Sequence, residues 1–524
     1  MITEDQSGVI AFLSSPDAHA GATVERIDTH ASVVFLAGER AWKLKRAVRY
    51  DYLDYSTADR RRAMCEAELR INRRTASNLY LGVRAITRQT DGSVSLGGDG
   101  HPVDWLVEMV RFDQHHLFDR LAEAGVLALK LMNPLAQTIA RFHARAERCT
   151  TCGGWEAMRR IIDGNAAGFT DEAAGILDQP PCRNLTDRAR FALDRVGNLL
   201  DQRRDNGFVR HCHGDLHLRN ILLWEGRPTL FDAIEFNDDI ASIDVLYDLA
   251  FLLMDLWRLD LPHHANVVWN GYLAETMDLD GLPLMPLFMS CRAAVMAKTT
   301  ATSARLERDQ SRRRALETTA NDYLAFAIRL LDPPPPSLVA VGGFSGTGKS
   351  TLAMRLAPSL GAPPGAVVLR SDAIRKRLRK VKPTERLGPE GYTDEVSRQV
   401  YASLLGQADT VVRGGFTALA DAVFAKPADR DAIEHVASAA GVPFTGVWLE
   451  APPSVLIERV AGRRGDVSDA SVEVLQRQRA SPLGLLRWHH LDASGTRQQV
   501  CDRAAAFLCP ARAARDPALE ETQP

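Results

Sequence analysis

Leu338-Val-Ala-Val-Gly342-Gly343-Phe-Ser-Gly346-Thr-Gly348-Lys349-Ser350 decides the fold of the C-terminal part of this 524-residue chain. An apolar run reads as a buried strand, and it delivers the chain straight into G-x-x-x-x-G-K-[ST], which opens a helix. The glycines allow successive backbone N–H groups to turn inward on phosphate oxygens, and the helix N-terminus adds partial positive charge. The spacing assigns Gly343, Ser345, Gly346, Thr347, Gly348, Lys349, Ser350 and Thr351 to a nucleotide phosphate chain. Lys349 reaches the β- and γ-phosphates, and Ser350 holds Mg²⁺. A chance glycine-rich turn lacks the preceding strand and following helix that are present here.

Working outward toward the C-terminus, apolar strands alternate with helices. Strands are expected at Ala366–Leu369, Phe416–Ala420 and Phe444–Leu449, and helices from Asp372, over Asp394–Arg413 and from Pro453. That alternation predicts an α/β domain with a parallel sheet and right-handed crossovers. Asp372, at the end of the second strand, is placed to take a proton from an acceptor hydroxyl. Arg375 is placed to hold an anionic group on the substrate, although the basic run to Lys380 also reads as a solvated helix face. Asp421, at the end of the third strand, is placed on the Mg²⁺ shell beside Ser350. Arg459, Arg463 and Arg464 form an arginine-rich segment suited to closing over phosphates, with Arg463 and Arg464 assigned to the nucleotide. The motifs GFSGTGKS, RSDAIRK, ADAVF and RVAGRRGDVSDA make residues 337–510 resemble the gluconate kinase, polynucleotide kinase and zeta-toxin-like group of P-loop kinases. The resemblance implies phosphoryl transfer from ATP to a hydroxyl.

Working outward toward the N-terminus, Asp332-Pro-Pro-Pro-Pro-Ser337 cannot continue a helix and reads as a stiff linker. The domain boundaries expected are 1–332, a linker at 333–336, 337–512, and a polar, disordered tail at 513–524. One helical stretch is expected over Cys291–Leu331. The region before it begins α+β. Strands are expected at Ser32–Leu36 and Ala41–Lys45, a charged helix over Ala58–Asn78, and further short strands to Met109.

His213-Gly214-Asp215-Leu-His217-Leu-Arg219-Asn220 carries the chemistry of this half, with Phe231-Asp232-Ala-Ile-Glu235 following across a short hairpin. An aspartate that orients and deprotonates an acceptor, an asparagine that holds metal and a second carboxylate on Mg²⁺ are the parts of a phosphotransfer loop. Asp215, Asn220 and Asp232 fill these places. His213 and His217 also stand at i, i+4 like metal ligands, but the loop accounts for both. The HGDLHLRN and FDxIE blocks make residues 25–330 resemble the aminoglycoside phosphotransferase and choline-kinase branch of the protein-kinase-like fold. That resemblance implies a nucleotide lysine on an early strand, where Lys43 is favoured over Lys45. It also implies a partner glutamate on the next helix, Glu68 with Glu66 behind it, and a structural role for Asp248. No G-x-G-x-x-G precedes the lysine. The two halves together are similar to bacterial fusions of an aminoglycoside-phosphotransferase-like domain with a P-loop ATP-binding domain. The fold class expected is therefore an α+β kinase-like domain followed by an α/β P-loop domain, with ATP and Mg²⁺ as cofactors.

Bulk composition bounds the partners. The chain is 45% hydrophobic and 25% charged with a formal net charge of −2, which exerts no general pull on nucleic acid or anionic membrane. No apolar run spans a bilayer, and the first residues lack a basic leader, so a cytoplasmic protein is expected. The eight cysteines lack scaffold spacing, and Cys149 and Cys152 read as half a zinc site, a redox pair or a coincidence. The acceptor expected is a small hydroxylated molecule. Three arrangements fit: two kinases in one chain, a P-loop kinase regulated by a non-catalytic N-terminal half, and a toxin-like kinase acting on a nucleotide-sugar or nucleic-acid end. Sparse aromatic residues near the basic run argue against single-stranded nucleic acid.

Overall fold

The computed structural model describes residues 3–508, except 51–52, 383–384, 463–470 and 481. The expected tail at 513–524 lies outside the described residues. The chain forms two compact units, one of residues 1–164 and 193–255, the other of residues 165–192 and 256–524. The exposed coil at Pro333–Pro335 thus lies inside the second unit, with helices before it and the P-loop sheet after it.

The first unit is built on a six-stranded antiparallel sheet. Its strands are β1 (Val24–Asp28), β2 (Ser32–Ala37), β3 (Arg40–Lys45), β4 (Tyr80–Arg88), β5 (Val94–Leu96) and β6 (His101–Val110), in the order β1-β2-β3-β6-β4-β5. Alternation sends successive side chains to opposite faces. Leu36, Ala41, Val107 and Met109 pack with Cys65 and Ala76 of helix α1 (Ala58–Ala76). Val33, Phe35, Trp42, Leu44 and Leu106 pack with Val9 and Leu13 on the other face. Helix α1 starts where the Thr57 side chain accepts a hydrogen bond from Arg60 N–H. Arg61, Cys65, Glu68 and Asn72 fall on its buried stripe, which aims Glu68 at the sheet. The hairpin β7 (Ile221–Trp224) and β8 (Arg227–Leu230) then carries the Asp215–Asp232 region.

The second unit contains a five-stranded parallel sheet: β9 (Leu338–Gly343), β10 (Val367–Arg370), β11 (Ala418–Asp421), β12 (Phe444–Glu450) and β13 (His489–Asp492). The order is β10-β11-β9-β12-β13, so β9 lies at the centre, beside the strand that ends in Asp421. Every residue of β9 is buried, as a parallel strand covered on both faces must be. Val339, Val341, Leu419, Val447 and Leu449 form a core with Leu352 and Leu356 of helix α2 (Lys349–Leu356). The parallel sheet matches the expected fold class.

The stretch expected as one helix over Cys291–Leu331 is two, Met285–Leu306 and Gln310–Leu330. Asp309 caps the second by accepting from Arg312 N–H at 2.8 Å, which gives the chain a reason to restart there. Cys149 and Cys152 are joined as a disulfide, with Cα atoms 5.5 Å apart. This departs from the half zinc site and from the coincidental pairing; a two-residue spacing in a tight loop brings both sulfurs to one side. The other five described cysteines are free and buried.

Candidate functional site

In the first unit, alternation on β3 points Lys43 and Lys45 the same way, and both reach the one glutamate that helix α1 presents. Lys43 Nζ donates to Glu68 Oε1 at 2.9 Å and to Asp232 Oδ1 at 2.6 Å. Lys45 Nζ donates to Glu68 Oε2 at 2.7 Å, pairs with Glu235, and lies 3.3 Å from Tyr55 Oη. Glu68 is fully buried. Burial pushes its carboxyl up, but Lys43 and Lys45 outweigh that and hold it down to about 2. Burial likewise opposes the charge on both lysines, and the surrounding carboxylates raise them well above the ordinary lysine range. The choice of Lys43 alone therefore undercounts this cluster: Lys45, Tyr55 and Glu235 belong to it. Glu66 instead faces outward and pairs with Arg62 at 2.9 Å.

Asp232 follows β8 with φ 59°, a conformation unusual for a residue with a Cβ. Its N–H donates to Tyr80 Oη at 3.2 Å, and the next N–H, of Ala233, donates to Asn72 Oδ1 at 2.8 Å. The loop at Asp215 is held from below by Asp248, which is fully buried and accepts from the N–H groups of His213 and Gly214 at 3.1 and 2.9 Å. His143 Nε2 is 3.1 Å from the same carboxylate. Asp248, His143 and Cys212 cluster like metal ligands, but this carboxylate is engaged in holding backbone. Asn220 Nδ2 donates to the Asp215 carbonyl at 2.9 Å and to Asp215 Oδ2 at 3.0 Å, which leaves the amide oxygen as the outward acceptor. Phe231 N–H donates to the Asn220 carbonyl at 3.1 Å, so the hairpin closes with Asp215, Asn220 and Asp232 at one end. His217 Nε2 lies 3.2 Å from Asp215 Oδ2. Burial would lower the imidazole, and the Asp215 carboxylate outweighs it and raises it.

In the second unit, the phosphate loop closes on itself. Gly346 has φ +93°, and a Cβ there would come within 2.8 Å of the Leu456 carbonyl. Thr347 Oγ1 and Lys349 Nζ both donate to the Phe344 carbonyl, at 2.8 and 3.0 Å. Ser350 Oγ donates to Asp421 Oδ2 at 2.5 Å, and Arg370 Nε is 3.5 Å from the same oxygen. Burial raises the Asp421 carboxyl, and Arg370 and Lys349 only partly offset this. Two cavities meet on this loop. One, of about 340 Å³, is lined by Lys349, Ser350, Asp372, Arg375, Asp421 and residues of helix Asp394–Arg413. The other, of about 1030 Å³, lies along Gly346–Gly348, Arg459 and Ala493–Thr496. Gly348 and Thr351 border both.

Arg375 is buried; it donates to the Gly391 carbonyl at 2.8 Å and stacks over Tyr392. Lys376 is buried as well, so the basic run is not a uniformly solvated face. Arg463 and Arg464 lie outside the described residues. Sequence reasoning missed Gln478, whose Oε1 accepts from Ser345 N–H at 3.0 Å, and Lys426 and Asp429 on the first cavity wall. It also left out the loop at Ala493–Gly495, whose carbonyls the Arg459 guanidinium holds, at 2.8 Å for Ala493. None of these carries a motif, because walls built from loops and helix faces lack fixed spacing.

A kinase-like α+β region followed by a P-loop α/β domain is the class that these two sites and sheets define. Residues 338–482 match the family described as AAA domain. Over nearly its whole length the chain is similar to uncharacterized proteins of Mycobacterium tuberculosis and Mycobacterium bovis. They are 28% identical over 500 residues, 93% of this chain and 96% of theirs. Among solved structures, a gluconokinase from Sinorhizobium meliloti is 24% identical, spanning 34% of this chain and 94% of that one with a TM-score of 0.25. A choline/ethanolamine kinase family protein from Mesorhizobium loti is 12% identical, spanning 62% and 94%, with a TM-score of 0.39. Among the described residues, no helix is long and apolar enough to cross a membrane.

Proposed function

We propose that the chain is an ATP-dependent phosphotransferase with two sites, each passing the γ-phosphate to a hydroxyl of a small molecule, in domains spanning residues 1–332 and 337–512. The observation that carries the reading is the cavity where Lys349, the Ser350–Asp421 pair, Asp372 and Arg375 converge. Loop N–H groups and Lys349 bind the phosphate chain, and the larger cavity beyond Gly348 takes the base and ribose. In the transfer, the acceptor oxygen forms a bond to the γ-phosphorus and passes its proton to the Asp372 carboxylate. The bond from that phosphorus to the β–γ bridging oxygen breaks, and ADP leaves with the electron pair. Arg375 holds the acceptor in place.

In the first unit Asp215 is the corresponding base, with His217 and Asn220 fixing its carboxylate. Lys43, positioned by Glu68, binds phosphate oxygens. The donor sets fit Mg²⁺: a hydroxyl and a carboxylate at Ser350 and Asp421, an amide oxygen and a carboxylate at Asn220 and Asp232, all hard oxygens. Bound Mg²⁺ supplies neutralisation of charge on the phosphates.

The test is ATP consumption by the full chain carrying Asp215→Ala, Lys349→Ala or both, with a panel of hydroxylated metabolites as acceptors. Each single change lowers turnover and the double change abolishes it. Loss with Lys349→Ala alone makes the N-terminal half a regulator. Turnover that survives the double change overturns the reading.

A further inference from the structure

Strand β10 is the edge of the parallel sheet, with β11 on one side only. An edge leaves backbone N–H and C=O groups unpaired on its outer side. Here a side chain takes the place of the missing strand. Asn270, on the helix Pro262–Thr276 that precedes the proline run, accepts from Val368 N–H at 2.7 Å through Oδ1. Its Nδ2 donates to the Ala366 carbonyl at 3.1 Å. This is the paired exchange that a neighbouring strand would make. Asn266, one turn earlier and buried, donates to the carbonyls of Pro364 and Ala366 at 2.9 and 3.1 Å. Trp269, between them, is fully buried, its ring 6.1 Å from that of Phe416.

The same helix also holds the element that follows β10. Arg377, near the end of the helix Ser371–Leu378, donates to the Ala274 carbonyl and contacts Met277. Between these two anchor points lie Asp372 and Arg375, on the wall of the smaller cavity. A leucine at 270 would cover the edge but leave Val368 N–H without its partner and the Ala366 carbonyl with Asn266 alone. Among the described residues, none of the bonds that Asn266 and Asn270 make to the P-loop domain reaches the phosphate loop; they end at Pro364, Ala366 and Val368.

We propose that Asn270 is a positioning residue for the P-loop site: the helix Pro262–Thr276 clamps β10 and the helix after it, and so sets where Asp372 and Arg375 stand relative to the phosphate loop. This rests on the reading of that cavity as the ATP and acceptor site. It makes the P-loop domain dependent, for its acceptor wall, on a segment upstream of the prolines.

The test compares the full chain carrying Asp215→Ala, which silences turnover at the first site, with the same chain carrying Asn270→Ala or Asn270→Asp as well. The aspartate keeps an acceptor for Val368 N–H but sets an oxygen against the Ala366 carbonyl. Three quantities are read: ADP affinity by calorimetry, amide exchange across residues 367–378, and kcat and KM for ATP turnover. For Asn270→Ala, exchange over 367–378 rises about tenfold and kcat falls about tenfold or more, as displaced catalytic groups require. ADP affinity and KM for ATP stay within about twofold of the chain with Asp215→Ala alone. Asn270→Asp falls between, and carries the comparison if the alanine variant does not fold. Unchanged exchange and kcat overturn the proposal, as does a loss of ADP affinity that tracks the fall in kcat, since both then report general loosening. If the unaltered chain binds no ADP, the reading of the cavity fails and takes the clamp with it.

Discussion

The two candidate sites hold their lysines in different ways. In the first unit Lys43 is already paired with two carboxylates, Glu68 and Asp232, and Lys45 beside it shares Glu68 and adds Glu235. In the second, Lys349 donates to the backbone carbonyl of Phe344 within its own loop, and its charge also acts on the buried Asp421 carboxylate. When Lys349 turns from the Phe344 carbonyl to a phosphate, the group it releases is neutral. A lysine locked to Asp232 releases a carboxylate when it turns, and that carboxylate needs a cation in exchange. On the function proposed above, this difference makes nucleotide binding in the first unit depend on Mg²⁺ more strongly than in the second.

The largest expected effect sharpens this contrast. In an Asp215→Ala background, Lys349→Ala lowers the remaining ATP turnover by about 10²–10⁴-fold, as loss of a group that stabilises the transferring phosphate predicts. Initial-rate kinetics checks it. Lys45→Ala comes next. It leaves Glu235 buried without its cation and Glu68 with Lys43 alone, and costs the first unit about 3–5 kcal/mol. Chemical denaturation, followed through amide exchange over residues 32–110, measures this. Lys43→Ala costs less, because Lys43 and Asp232 are partly exposed and Lys45 still neutralises Glu68.

Acid gives a third test. Glu68 is held near 2 against an ordinary 4.5, so its contribution to stability is present above pH 4.5 and is lost as the pH falls toward 2. Glu68→Gln removes that part of the pH dependence. The smallest effect lies at Asp421. Burial raises its carboxyl, so protons compete with Mg²⁺ at a higher pH than for an exposed aspartate. Calorimetric Mg·ADP affinity at the P-loop site therefore weakens on acidification at a higher pH than it would with an exposed aspartate in that place.

The phosphate loop, the Asp421 strand end and the Asp215–Asp232 region were legible because each is local: a few residues at fixed spacing leaving a strand or hairpin. Lys43 and Lys45 were legible as a same-face pair, but not as two cations sharing one glutamate, since that depends on the depth at which α1 packs. Strand β1 escaped notice because Glu25, Arg26 and Asp28 break its apolar pattern, as the exposed side of an edge strand permits. The break at Asp309 had a readable cap, and was lost inside a long helical composition. Asn270 had no readable signal. A polar residue on a helix reads as solvated, and its partner strand begins nearly a hundred residues later, beyond a proline run that reads as a separator.

Titration of the full chain with Mg²⁺ and a non-hydrolysable ATP analogue tests the central claim most directly. The account predicts two equivalents bound, with one lost in Lys349→Ala and the other in Lys43→Ala. A single equivalent that neither substitution divides, or no heat at all from the folded chain, contradicts it.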